Sequence, residues 1–308
     1  MEEQNTERKP DLIHGIKVFY ERKYKALLVI PFILLLIAIV LIGVKYSTDG
    51  DFINRDVSLK GGVSFTVPVE GEVDNLALTD FLKGKYPEND VFVKSFRQSA
   101  TTSGLIVDID FKEADDEMID ETIAIIGEYL GKDVEDYSYE FINPSLGASF
   151  FRQAFIALAF AFLFMGVVVF IYFRTFVPSI AVILAAVSDI IVTLAVVNLL
   201  GIRLGTAGLS AFLMLIGYSV NTDILLTNRV LKRKEGSVMD RVYFSIKTGL
   251  MTAGTTLAVV TVGLIVSDSE VIKQIMIIIL IGMIVDIVVT WLQNVGLLRL
   301  YLEKKHES

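Results

Sequence analysis

Residues 204–234, LGTAGLSAFLMLIGYSVNTDILLTNRVLKRK, decide how this chain is built. The stretch opens as an apolar helix long enough to enter a bilayer. It turns polar at Gly217, Tyr218, Ser219, Asn221 and Asp223, then ends in a basic cluster, Arg229, Lys232, Arg233 and Lys234. Polar groups inside a membrane helix are costly, so they face protein or water and often mark an ion or substrate path. A basic cluster just beyond a span is a cytoplasmic stop signal that also suits anionic lipid headgroups.

The rest of the composition agrees with that stretch. The 308 residues are 53% hydrophobic with a mean hydropathy of +0.60, too apolar for an ordinary soluble enzyme of this size. No cysteine is present, which excludes disulfides, thiol catalysis and thiolate metal sites. The two histidines, His14 and His306, lie outside every apolar run. No metal site, cofactor or histidine proton relay is therefore expected in the membrane.

Six apolar runs predict six spans: residues 26–44, 154–173, 177–200, 204–226, 249–266 and about 275–292. The first is charge-free, and at about 1.5 Å per residue it reaches about 28 Å, enough to span. It is too long for a typical signal-peptide core and no Ala-x-Ala-like site follows, so it is expected to be retained. The chain thus divides into a tail (1–25), a first helix (26–45), a soluble domain (46–150), helices two to six (151–300) and a second tail (301–308).

The soluble block alternates strand and helix patterns. Residues 62–69, 91–98, 104–111 and 137–142 read as strands, and 73–86 and 114–130 as amphipathic helices. The order βαββαβ predicts an α+β domain of the ferredoxin-like type. Residues 143–147 (NPSLG) read as a turn back to the membrane. The block holds 22 acidic and 8 basic residues between 46 and 150, a net of −14 in a chain of net −8, leaving +6 elsewhere. An acidic soluble block disfavours nucleic-acid binding. Short-loop basic residues place Arg174, the cluster between 229 and 247, and the C-terminal tail inside, with Arg203 and Lys273 outside. Both termini are then cytoplasmic and the acidic domain extracytoplasmic.

Three acids fall within apolar runs: Asp189 in the third, Asp223 in the fourth and Asp286 in the sixth. A charged Asp at mid-bilayer costs at least about 2.5–3.5 kcal/mol on insertion scales. Such an acid either carries protons or pins helices together through hydrogen bonds. Arg229 is the nearest basic residue that could pair with one of them. Ser219 and Asn221 could bond across helices and Gly217 could admit a close neighbour, each equally at home as packing. Gly249, Ala253, Gly254 and Ala258 give the fifth helix a small-residue spacing. Lys60-Gly61-Gly62 lacks the frame of a phosphate loop and reads as a tight turn before a strand. An intramembrane aspartyl protease would show Tyr-Asp and Gly-x-Gly-Asp; Ser188-Asp189 and Asn221-Thr222-Asp223 fit neither, so no enzyme is expected.

These motifs resemble the SecF family of protein-export membrane subunits. Gly217-Tyr218-Ser219-Val220-Asn221 with Arg229 behind it looks like the family signature, Gly61-Gly62 like its double glycine, Asp189 like its aspartate one helix earlier, and Thr255-Thr256-Leu257 like its threonine-rich fifth helix. The resemblance covers nearly the whole chain. It departs where bacterial members read Asn-Asp-Thr, since the acid here sits one position later at Asp223. Ser188 replaces a usual histidine, and Asp286 has no bacterial counterpart, which points to an archaeal-type member. The resemblance implies a fold like the resistance-nodulation-division transporters and a SecD partner with a second six-helix bundle. It also implies a SecYEG-type channel, a translocating polypeptide as substrate, and drive by the proton-motive force, with Asp189, Asp223, Asp286 and Arg229 as relay candidates. The alternatives are half of a proton-coupled small-molecule exporter and a non-transporting scaffold of the translocon.

Overall fold

In the computed structural model, which describes residues 12–71, 73–97, 102–233 and 236–307, the chain begins with one long helix, α1 (Leu12–Asp49), and a single turn, α2 (Val57–Lys60). A small domain follows: β1 (Gly62–Glu70), α3 (Asn75–Lys85), β2 (Val91–Arg97), β3 (Thr102–Ile109), α4 (Asp116–Leu130) and β4 (Ser138–Ile142). The chain then returns through α5 (Pro144–Phe173), α6 (Phe176–Leu199), α7 (Thr206–Lys232) and α8 (Val238–Val266). The final run is α9 (Glu270–Val288), a π-helical turn (Val289–Asn294) and α10 (Val295–Glu307). Among the described residues six helical runs are long and apolar enough to cross a membrane: Lys17–Asp49, Pro144–Phe173, Phe176–Leu199, Thr206–Lys232, Val238–Val266 and Glu270–Lys305.

Burial orders the bundle. Helices α6 and α7 are central, with Val182, Ala186, Ala211, Phe212 and Leu215 closed off against Ile278 and Met283 of α9. Helices α1, α5 and α8 turn large apolar side chains outward, among them Leu36, Phe164 and Val259, as helices bordering lipid do. Small residues let the central helices approach. A Cβ on Gly282 would fall 2.3 Å from Leu215 Cδ2, and one on Gly249 the same distance from the Trp291 indole.

The sheet runs β2-β3-β1-β4 with every neighbouring pair antiparallel. One face carries Val63, Phe65, Val67, Val91, Val93, Val107 and Ile109, buried against Leu78 and Leu82 of α3 and Ile119, Ile123 and Ile126 of α4. Asp74 and Asp115 cap these helices by accepting from backbone N–H groups in their first turns. The opposite face presents Ser64, Phe92, Lys94, Asp108 and Glu140, which the strand register sets side by side. Asp108 is buried and accepts from Ser64 Oγ at 2.6 Å; burial pushes its carboxyl pKa up, only partly offset by Lys94 and that hydrogen bond.

Several boundaries differ from the sequence expectation. The turn-like residues 143–147 start α5 instead: Asn143 Oδ1 accepts from Ser145 N at 2.9 Å and Pro144 takes the first helical position. Asn and Pro serve helix starts as well as turns, and a turn of that kind cannot be told from a cap by composition. The basic segment 229–247 is not a long loop. Helix α7 continues to Lys232 and α8 opens at Val238 behind a capping box of Ser237 and Asp240. The first helix extends beyond 26–45 on both sides. Residues 1–11 of the expected N-terminal tail, together with Gln98, Lys234 and Ser308, lie outside the described residues.

The domain is held to the bundle near the loop between α6 and α7. Arg203 donates from Nη1 and Nη2 to the two oxygens of Asp90, each at 2.8 Å, and lies 4.4 Å over the Phe92 ring. Partial burial raises the Asp90 pKa, but the hydrogen bonds and charge of Arg203, then Lys60, outweigh it and hold the carboxyl below its ordinary 3.8. For an acid with a depressed pKa, the stabilisation is fully present above the unfolded value and is lost as pH falls through the lower folded value. The difference in melting temperature between wild type and Arg203→Gln should therefore narrow as pH drops from about 5 to about 3. A gap that stays constant over that range would show the pair contributes nothing.

Candidate functional site

Helical spacing gathers the polar residues of four elements into one buried cluster. On α7, Ser219, Asp223 and Thr227 recur every fourth residue and share a face; on α6, Asp189 and Thr193 do the same. On α9 and the π turn, Asp286 and Thr290 are four apart, and Gln293 and Asn294 follow. All of these side chains are at most 2% exposed. The extra residue of a π turn changes which side chains face inward, and here it lets Thr290, Gln293 and Asn294 all point into the bundle.

The contacts link the three acids through hydroxyls and amides. Ser219 Oγ donates to Asp189 Oδ2. Thr290 Oγ1 lies 3.0 Å from Asp223 Oδ1 and 3.1 Å from Asp286 Oδ1. Asn294 Nδ2 donates to Asp223 Oδ1 at 2.7 Å, and Gln293 Nε2 to Ser188 Oγ at 3.1 Å. Asp189 on α6 thus reaches α7 through Ser219, and Asp286 reaches Asp223 through Thr290. A hydroxyl has a single proton, so Thr290 donates to one acid at a time; the second acid keeps its contact by being protonated and donating to Thr290. None of the ion pairs among the described residues involves Asp189, Asp223 or Asp286. Three buried acids without a cationic partner cannot all be charged at once. The cluster is also rich in acceptors: Asp189 Oδ1, Asp223 Oδ2, Gln293 Oε1 and Asn294 Oδ1 are buried without a protein donor.

Other residues singled out by sequence lie elsewhere. Among the described residues Arg229 makes no ion pair with the acids; its guanidinium stacks 4.1 Å over Phe244 and donates to Thr248 Oγ1 at 3.3 Å. Gly217 and Asn221 are exposed on the outer face of α7, and a Cβ on Gly217 would meet nothing within 4 Å. Tyr218 is half-buried beside them. Gly61 and Gly62 sit where α2 passes into β1, far along the chain from the acids. The one-position displacement of Asp223 has a geometric sense. Thr222 Cγ2 lies 3.5 Å from where a Cβ on Gly249 would be, so position 222 faces α8, whereas position 223 faces Asp286. Gln293 and Asn294 escaped the sequence reading because the sixth run was closed near Leu292, and Thr290, inside that run, because a lone threonine in an apolar helix carries no charge to mark it. Their signal was the fourfold spacing from Asp286 inside an otherwise apolar run.

Comparison with known proteins bears on this arrangement. A family model described as protein export membrane protein SecD/SecF, C-terminal, matches residues 122–304. The protein-export membrane protein SecF of Methanothermobacter thermautotrophicus is 38% identical over 288 residues, covering 92% of this chain and 94% of that protein. The chain belongs to the SecF family. The SecF proteins of Methanocaldococcus jannaschii and Pyrococcus furiosus, each 35% identical, cover 91% and 94% of this chain, so its similar relatives include several archaeal ones. This SecF-family chain is a multi-pass membrane subunit of protein export. Its fold is shared with the crystal structure of SecDF from Thermus thermophilus, at a TM-score of 0.72 and 20% identity over 92% of this chain. The chain spans 38% of that SecDF chain. A super-membrane-facing form of SecDF matches at a TM-score of 0.58.

Proposed function

We propose that Asp189, Asp223 and Asp286 form the proton-carrying site through which the proton-motive force drives a complex of this chain with SecD. The observation that carries the reading is Thr290, poised between Asp223 and Asp286, with Asp189 bonded to Ser219 one turn from Asp223 on α7 and, among the described residues, no ion pair to any of the three acids. Moving one proton changes which acid Thr290 serves, and so which of two packings of α6, α7 and α9 is favoured. One charge crossing 100 mV supplies about 2.3 kcal/mol, a bias of about 50-fold.

In this reading both termini are cytoplasmic and the residue 46–150 domain is extracytoplasmic. The domain is a ferredoxin-like split unit, supported by its element order and its β2-β3-β1-β4 antiparallel sheet. The complex acts on polypeptides leaving a SecYEG-type channel, a reading supported by the solved SecDF being described as translocon-associated. Arg229 serves the opposite end of α7, stabilising the helix terminus near anionic lipid. The test is export in proteoliposomes holding this chain, SecD and the channel. A proton gradient should stimulate export, and an uncoupler should remove the stimulation. Equal export with and without the gradient would leave a passive scaffold.

A further inference from the structure

Arg203 is held from two sides. Its guanidinium grips Asp90, the residue before β2, and lies over Phe92. Lys60 reinforces the grip from within the domain side, 3.3 Å from Asp90 and 2.7 Å from Asp110. Behind it, the Arg203 carbonyl accepts from Gln274 Nε2 at 2.7 Å, and Gln274 Oε1 accepts from Gly208 N at 3.0 Å. Gln274 therefore ties the first turn of α7 to α9 and holds the backbone of Arg203 at the same time. The adjoining Leu204 exchanges backbone hydrogen bonds with Asn54 and Asp56, at 2.6 and 3.0 Å, fixing the strand-like lead into the domain to the same loop.

The fit at this junction is tight on the bundle side and loose on the sheet side. A Cβ on Gly208 would come 2.8 Å from Leu204 Cδ2 and 3.1 Å from Ile278 Cδ1, so α7, α9 and the loop are in close contact there. By contrast, a cavity of about 540 Å³ separates Phe92, Lys94 and Glu140 of the sheet from Thr206, Lys273 and Gln274 of the bundle. Among the described residues, the Arg203–Asp90 pair is the side-chain hydrogen-bonded link between the stretch 62–142 and the loop that joins α6 to α7. The domain is anchored where α2 and α5 cross at its entry and exit, and across the cavity it is steadied by this ion pair, so the sheet can tilt about that root when the pair shifts.

Gln274 and Gly208 lie on the helices that carry Asp286 and Asp223, about 18 and about 22 Å along their axes from those acids. We propose that Arg203, braced by Gln274, is the joint through which a change in the packing of α7 against α9 moves the sheet domain. Both are positioning residues for export. The inference rests on the proton-coupled reading for the cause of the movement, but the joint itself can be tested without it.

The chain has no cysteine, so spin labels can be placed at Lys83→Cys on α3 and Asp268→Cys between α8 and α9, both exposed. Electron–electron distances are then measured on the full chain with SecD in lipid nanodiscs. Wild type should give one narrow distribution. Arg203→Gln, Asp90→Asn and their double variant should each broaden it by about twofold, the double no more than the singles, since they break one link. Gln274→Met, which leaves both charged partners in place, should broaden it similarly. In export, Arg203→Gln and Gln274→Met should lower the gradient-stimulated part about fivefold and spare the gradient-independent part. An unchanged distribution in Gln274→Met, or a double variant clearly broader than either single, overturns the joint. If wild-type export ignores the gradient, the proton reading falls, while the distance measurements still decide the joint.

Discussion

Asp189→Asn should remove the gradient-stimulated part of export, by at least about tenfold out of the roughly 50-fold bias that one charge can draw from 100 mV. The substitution is chosen to preserve shape. The Asn carbonyl still accepts from Ser219, and its NH2 group takes the place of the carboxyl oxygen that has no protein donor. What is lost is the ability to release a proton. Position 189 is then held in one charge state, and the packing of α6 against its neighbours no longer answers to a proton there. Folding should not suffer, because replacing one of three buried acids that lack a cation relieves the interior. Yield and melting temperature should equal or exceed those of wild type, and SecD should co-purify. Asp286→Asn should lose as much, and the double variant no more than either, since residues acting as one unit are not additive. Full gradient stimulation in Asp189→Asn would remove this residue from the proton site.

The same cluster shows how much the sequence could say. The three acids stand out because charged residues within apolar runs are rare, and composition alone finds them. Their meeting could not be inferred in this way. Asp286 and Asp223 converge because Gly282 lets Leu215 pack close and because a π turn redirects Thr290, Gln293 and Asn294. A π turn leaves no mark in the hydropathy pattern, since it adds one residue to a helix without changing its apolar character. Arg229 illustrates the opposite case. Its place in the family signature suggested a partner for an acid, yet α7 turns it toward Phe244 and Thr248 of α8. The strands and helices of the domain were legible because its core alternates with a period of two in β1–β3 and near 3.6 in α4. The single turn α2 was not, since four residues are too few to show a period.

Gly61→Ala and Gly62→Ala should each cost at least about 3 kcal/mol, a large share of the stability of a domain this size. Two penalties coincide at each position. The φ angles are +93° and +133°, where a residue with a side chain is strained. The space is also already taken by backbone: a Cβ on Gly61 would lie 2.4 Å from Pro144 Cα, and one on Gly62 2.3 Å from the Ile109 carbonyl oxygen. Backbone cannot rotate aside as a side-chain tip can, so the two segments would have to part. Gly147 completes the crossing, its own missing Cβ 2.9 Å from Gly61 N. Gly71 supplies the control. Its φ is +90°, but a Cβ there would meet nothing within 4 Å, so Gly71→Ala should cost only about 1–2 kcal/mol. Thermal unfolding of the purified chain, followed by protease sensitivity of the domain, separates the two classes. Equal losses at positions 61, 62 and 71 would mean that backbone conformation alone sets the cost. A much larger loss at 61 and 62 places it in backbone crowding, against α5 at Gly61 and against the end of β3 at Gly62, where the chain enters the domain that Arg203 holds in place.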